Sequence, residues 1–261
     1  PTRRSSDLTL DLSGLPGTTP VRITDIGNVT SVVTKSGQTV TLAGSDLDGL
    51  GVSGSGTLLL SDNTIPSTAD LSNVAAGLSV SSGNTLSLTA AQADGKTITG
   101  AGNVTVNSLG SADTDLSAIT VSGTKTVNVP STATLHTNTN LSGFSIAVAS
   151  GATLTLSEAQ ADSTTISGAG GVTVNGLAAD TDLSNVSASG TVTAVVNSTI
   201  NIGSNTDLGA IDAYNVSGTL TLTAAQANGL PITGNGNVTV TGISATTDLS
   251  NVAGSLTVTA T

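Results

Sequence analysis

Cysteine, methionine and tryptophan are absent from the 261 residues, and Phe144 and Tyr214 are the only aromatics. Without cysteine there is no disulfide framework, no thiolate nucleophile and no Cys-ligated zinc site. A compact globule of this length uses more large side chains to fill its core. A thin core of stacked Val, Leu, Ile and Ala needs none. Positive charge is scarce as well: six Lys and Arg face 17 Asp and Glu, for a net charge of −11. Nucleic-acid binding asks for a basic surface with interleaved aromatics, and neither is present. The same scarcity speaks against docking on anionic lipid. No apolar run reaches the 18 or so residues that a membrane-spanning helix requires, so no membrane insertion is expected. Charged residues make up only 9% of the chain, yet the mean hydropathy of +0.26 is too high for disorder.

What is present is repetition. The phrase Ala-Ala-Gln-Ala-Asn at 224–228 returns as Ala-Ala-Gln-Ala-Asp at 90–94 and Glu-Ala-Gln-Ala-Asp at 158–162. ITGNGNVTV at 232–240 returns at 98–106 and 166–174, and TDLSNV at 247–252 returns at 181–186. Gln92, Gln160 and Gln226 are separated by 68 and 66 residues, and from Asp46 onward successive AQA-type and DLS-type landmarks fall 19 to 25 residues apart. A unit of this size that cannot bury its own apolar face stacks on its neighbours. Within a unit the period is two: Leu220 and Leu222 alternate with Thr219, Thr221 and Thr223, and Val238 and Val240 with Thr239 and Thr241. This is a half-buried strand pattern, and Gly, Asn, Asp and Ser clusters supply the corners.

The expected fold is therefore an all-β parallel solenoid of about 22-residue coils, each with three short strands and right-handed crossovers. Tandem small β-sandwiches, one for each 66–68-residue cycle, are the rival architecture. The AQA element is expected as one helical turn at a corner. Thr89, Ser157 or Thr223 stands at its N-cap, and Gly95, Ser163 or Gly229 at the left-handed position that ends it.

Candidate chemistry is sparse. The clause Gly100-Ala101-Gly102 resembles a dinucleotide loop, but its glycines precede a strand rather than open a helix, so a turn is the expected role. It also resembles a calcium-binding nonapeptide, which must recur every nine residues or so, whereas this clause recurs every 66 to 68. The aspartate pairs Asp113/Asp115 and Asp180/Asp182, like Asp46/Asp48, are the better calcium candidates, although calcium needs six to eight oxygens or so. The Asx turn is the preferred reading of these pairs. His136 is the only histidine and belongs to no repeat. With one His and no Cys there is no duplicated triad or His-rich metal site, and no catalytic residue is assigned. Outward threonine rows resemble an ice-binding surface, but Thr221 has Ser87 and Thr155 as its sequence counterparts, which interrupts the row.

The recurrent TLxLTxAQAxG, ITGxGxVTV and TDLSNV phrases, over roughly residues 39–261, resemble the repetitive β-strand-repeat proteins of bacterial surfaces. These include adhesin-like and autotransporter-passenger-like solenoids. The resemblance implies export, an extracellular or cell-surface location, and a structural or adhesive role toward surface glycans, matrix or other copies. It carries over no functional residue. The other expectations are a polysaccharide-acting β-helix enzyme or an ice- or calcium-binding repeat surface. Residues 1–8, PTRRSSDL, resemble a translated sequencing adapter and are set apart from the fold. Residues 9–38 are expected as irregular first coils, and 39–261 as a solenoid cut at both ends.

Overall fold

The computed structural model describes residues 8–253 and 257–260, apart from Gly17, Thr19, Ser142 and Ser204. The adapter-like segment thus lies outside the described residues except for Leu8. The chain is a parallel β-solenoid divided into two compact units. Residues 8–107, with Thr114–Val127 and 138–141, form the first; Ser108–Asp113, Asn128–Thr137 and the described residues from Gly143 onward form the second.

In the first unit, Leu8–Asp11, Val29–Val33 and Gly51–Ser53 stack as one side of the coil. Residues 9–38 thus contribute strands to the stack, with one register shift between Leu8 and Thr9. A second side stacks Val21–Arg22, Thr39–Leu42, Thr57–Leu60, Gly77–Val80 and Ile98–Gly100. A third includes Thr85–Thr89 on Asn103–Asn107. In the second unit the sides are Ser145–Val148, Ile166–Gly168 and Val186–Ala188; Ala133–Thr134, Thr153–Ser157, Gly171–Asn175, Val192–Val196, Ala213–Val216 and Ile232–Gly234; and Thr199–Asn201, Thr219–Thr223, Asn237–Thr241 and Thr257–Ala260.

Every named pair is parallel. Alternation therefore places like residues above one another: Val40, Leu58, Leu78 and Ile98 form one buried ladder, and Leu154, Val172 and Val192 another. Tyr214, 2% exposed, sits in register between Ala194 and Ile232, and the small alanine on one side leaves room for its ring.

Two features differ from the sequence expectation. Coils hold about 20 residues rather than about 22, because in-register partners are 18 residues apart (Leu154 and Val172) or 20 (Val172 and Val192). In addition, coils such as that from Ile166 to Val186 hold two strands, the remaining side being a turn-rich corner such as Asp182–Asn185. The difference in length has a cause in the repeat. A 66-residue sequence cycle equals about three and a third 20-residue coils, so each copy begins one side further round. Thr153–Ser157 and Thr219–Thr223 are the same phrase one cycle apart, yet they lie in different sheets of the second unit. In the first unit, Thr39–Leu42 and Thr85–Thr89 are displaced in the same way. Landmarks counted along the sequence precess round the coil, which lengthens their spacing relative to the stack.

Candidate functional site

The corners carry most of the polar structure. Helical turns α1 (Ala90–Ala93), α2 (Glu158–Ala161) and α3 (Ala224–Ala227) follow the N-caps Thr89, Ser157 and Thr223. Ala and Gln favour helix, but a single turn is too short to be stable alone. The glutamine supplies the anchor. Gln92 Oε1 accepts the Thr89 N–H at 3.0 Å, while its Nε2 donates to the Pro66 and Ala69 carbonyls of the preceding coil at 2.7 and 3.0 Å. Gln226 repeats this with the Thr223 N–H and the Ile202 and Asn205 carbonyls, and Gln160 Nε2 donates to the His136 carbonyl at 2.8 Å. Gln92 and Gln160 are buried and Gln226 half-buried, and all three staple one coil to the preceding one, a role that helix propensity does not reveal. Gln38, 1% exposed, performs the same service for the Leu12 carbonyl without a helix, and no repeat marked it. The left-handed positions fall as expected on Gly95, Ser163 and Gly229.

The residue after each AQA holds the next DLS corner. Asp94 Oδ1 accepts the Asp115 N–H at 2.8 Å, Asp162 Oδ1 the Asp182 N–H at 2.7 Å, and Asn228 Oδ1 the Asp248 N–H at 2.7 Å. Each DLS carboxylate in turn caps its own turn: Asp115 Oδ1 accepts the Ser117 N–H at 2.9 Å and Asp182 Oδ1 the Ser184 N–H at 2.8 Å. These are Asx turns. Hydrogen bonds from the hydroxyl and N–H of Ser117, Ser184 and Ser250 hold the carboxyls of Asp115, Asp182 and Asp248 below the ordinary aspartate range. Of the calcium candidates, Asp113 and Asp115 flank buried Thr114, and Asp180 and Asp182 flank buried Thr181, so each pair shares an outward side. No group of three or more His, Asp or Glu side chains comes together among the described residues. Asp113 Oδ1 instead lies 3.5 Å from His136 Nδ1, both side chains being exposed.

The glycine clause makes a backbone crossing. Gly168 has φ +109°, and a Cβ there would press into the Val148 carbonyl; Gly100 and Gly234 repeat this against Val80 and Val216. The glycines are there for close approach of two backbones. The threonine rows also differ from the sequence alignment. Thr221 stacks on Asn201 and Thr239, not on Ser87 or Thr155, because its repeat counterparts have precessed to other sides.

Recesses interrupt the surface formed by the described residues, three of them well defined. Two lie in the second unit: one of about 470 Å³ between Ser108–Ser111 and Pro130–Thr134, and one of about 320 Å³ over Gly171 between Thr153 and Thr191. The third, of about 260 Å³, lies in the first unit between Asn63 and Thr85–Thr89. Among the described residues, no helix is long and apolar enough to cross a membrane. Comparison with family models, curated proteins and solved structures finds no match for this chain.

Proposed function

We propose that this chain is a non-catalytic structural and adhesive repeat region of a secreted or cell-surface bacterial protein. The precession of the repeat carries the reading. A surface that must present one flat or one catalytic face gains from a repeat commensurate with the coil, which reinforces the same side at every turn. Here a cycle of 66–68 residues against a coil of about 20 moves each copy to the next side. Corner features are thereby dealt round the coil, which suits a stalk with many weak, equivalent contacts. The outward residues are largely neutral Thr, Ser and Asn, chemistry suited to glycans, matrix or other copies rather than to nucleic acid.

The test is adhesion of the full chain. Beads coated with it should be retained on polysaccharide or matrix surfaces, and retention should be insensitive to salt because few charges take part. Release of reducing sugar from those polysaccharides would replace the adhesive reading with an enzymatic one.

A further inference from the structure

We propose that the recess between Ser108–Ser111 and Pro130–Thr134 is a strand-edge dock for an extended, Lys- or Arg-flanked segment of another protein. The proposal goes beyond the adhesive reading and does not depend on it. In the second unit, the strand leading into each helical turn has a strand of the preceding coil beside it: Ala133–Thr134 beside Thr153–Ser157, and Thr199–Asn201 beside Thr219–Thr223. Ala133–Thr134 is itself the first strand of its sheet, so its other edge has no strand to meet. Two hydrogen bonds frame the opening on that side. Ser108 N–H donates to the Asn128 carbonyl at 3.0 Å, and His136 N–H donates to the Gly110 carbonyl at 3.2 Å. Between these clamps one coil spends only Leu109, whereas the next coil runs from Val129 to Leu135 as an arch. Ser108, at φ +62°, turns the shorter chain away. The recess under the arch is about 470 Å³, many times the share of one water molecule, about 30 Å³.

Backbone direction identifies what fits there. In a parallel ladder the N–H and C=O of successive residues point to opposite neighbours. Leu135 N–H donates to the Thr155 carbonyl of the following coil at 2.8 Å, and His136 N–H to the preceding coil. Ala133 therefore faces as Leu135 does, and Thr134 faces as His136 does, toward the recess. The Thr134 N–H and C=O have no partner among the described residues, and Thr134 is exposed. An open edge of this kind is a template for another strand, which supplies the matching acceptor and donor. No charged side chain lines the recess, so the residues that pair must be uncharged. Beyond the recess the field has one sign. The second unit carries Asp113, Glu158 and six further aspartates, with no Lys or Arg. Cationic flanks are therefore steered to it and acidic ones repelled.

The first unit lacks this edge. There Thr85–Thr89 leads into α1 and meets the preceding coil through a single bridge, Thr64 to Ser87. That bridge stands where Thr134 pairs with Thr155, so Asn63 matches Ala133. Asp62 Oδ1 accepts the Gly44 N–H at 2.7 Å and the Thr64 N–H at 3.3 Å, which turns the chain back. Asn63 then takes φ +52°, and Pro66 has no N–H to give a ladder. The recess left beside this turn is the smaller one, about 260 Å³, and it has no strand as its roof on the Asn63 side.

The experiment is fluorescence anisotropy on the full chain with a labelled peptide, acetyl-KKTVTVTKK-amide. Saturable binding is expected, and added salt should weaken it severalfold. The same peptide N-methylated through its TVTVT core cannot pair its backbone and should not bind. A version with Glu in place of Lys should bind at least roughly tenfold more weakly. Thr134→Pro removes the N–H that faces the recess, at an edge where proline is tolerated, and should weaken binding roughly tenfold. Gly110→Trp supplies an independent check. A Cβ at Gly110 meets nothing within 4 Å, so the variant should keep the parent's urea midpoint while its ring occludes the recess and abolishes binding. No saturable binding of the Lys-flanked peptide, equal binding of its methylated form, or unchanged binding by Gly110→Trp overturns the dock. Self-association of the parent chain that Gly110→Trp removes would give the edge to a second copy and overturn the partner.

Discussion

The coil before α1 and the coils before α2 and α3 face the same phrase with different backbone. TLSLTAAQAD and TLTLSEAQAD fold into the same strand, cap and turn, and Gln92 clamps two carbonyls as Gln226 does. Yet one strand edge meets a paired neighbour and the other a recess. A repeat therefore specifies its own coil well, while the stacking edge depends on the coil before it. Asp62, Asn63 and Pro66 are enough to convert a ladder position into an opening.

The largest effect expected is at the backbone crossings, which should not distinguish the two units. Gly100→Val and Gly168→Val should each cost about 3–5 kcal/mol, from left-handed strain plus steric overlap with the facing carbonyl. Urea unfolding midpoints would measure this, and a large inequality between the two would break the equivalence. Next come the staples: Gln92→Ala and Gln226→Ala should each cost about 1–2 kcal/mol, because two partly or wholly buried carbonyls lose their donor. A much smaller loss at Gln92 would show that the open coil before α1 rehydrates those carbonyls. The comparison is sharpest in sign. Asn63→Gly should be neutral or stabilising by up to about 1 kcal/mol, whereas Ala133→Gly, at the matching strand position, should destabilise by about 0.5–1 kcal/mol.

The smallest effects follow pH. Carboxyls of Asp70, Asp115, Asp182 and Asp248 are lowered by hydrogen bonds from the serine two residues on. Their contribution is present above the unfolded aspartate value of about 3.9 and fades as pH falls through the lowered folded values. Unfolding midpoints should thus decline in acid, and Ser184→Ala should flatten part of that decline. At the other extreme, burial pushes the Tyr214 hydroxyl up to about 12. Its contribution is complete below the unfolded tyrosine value of about 10 and is lost as pH rises toward the folded one. Tyrosinate absorbance should therefore appear late, together with unfolding.

Much of this was legible in the sequence. Leu-Thr alternation gave strand and sidedness, the Thr or Ser caps with Gln gave the helical turns, and Gly95 and Gly229 their ends. The coil is slightly shorter than the landmark spacing because AQA and DLS landmarks drift round the stack, a drift that only paired registers reveal. Asp115 and Asp182 were visible as turn formers, but their coupling to Asp94 and Asp162 crosses 20 or 21 residues and leaves no local mark. The recess beside Asn63 was not legible, because it depends on a neighbouring strand that fails to form.

The third-of-a-turn remainder also bears on how such a chain can change length. Duplicating one 66–68-residue cassette adds three turns and a fraction, so all that follows is rotated but meets aliphatic ladders of the same kind. Such a cassette needs no tailored junction, and unequal crossover between copies would yield longer or shorter variants that still fold. An insertion that shifts a strand by one residue would place threonines where the ladder expects leucine.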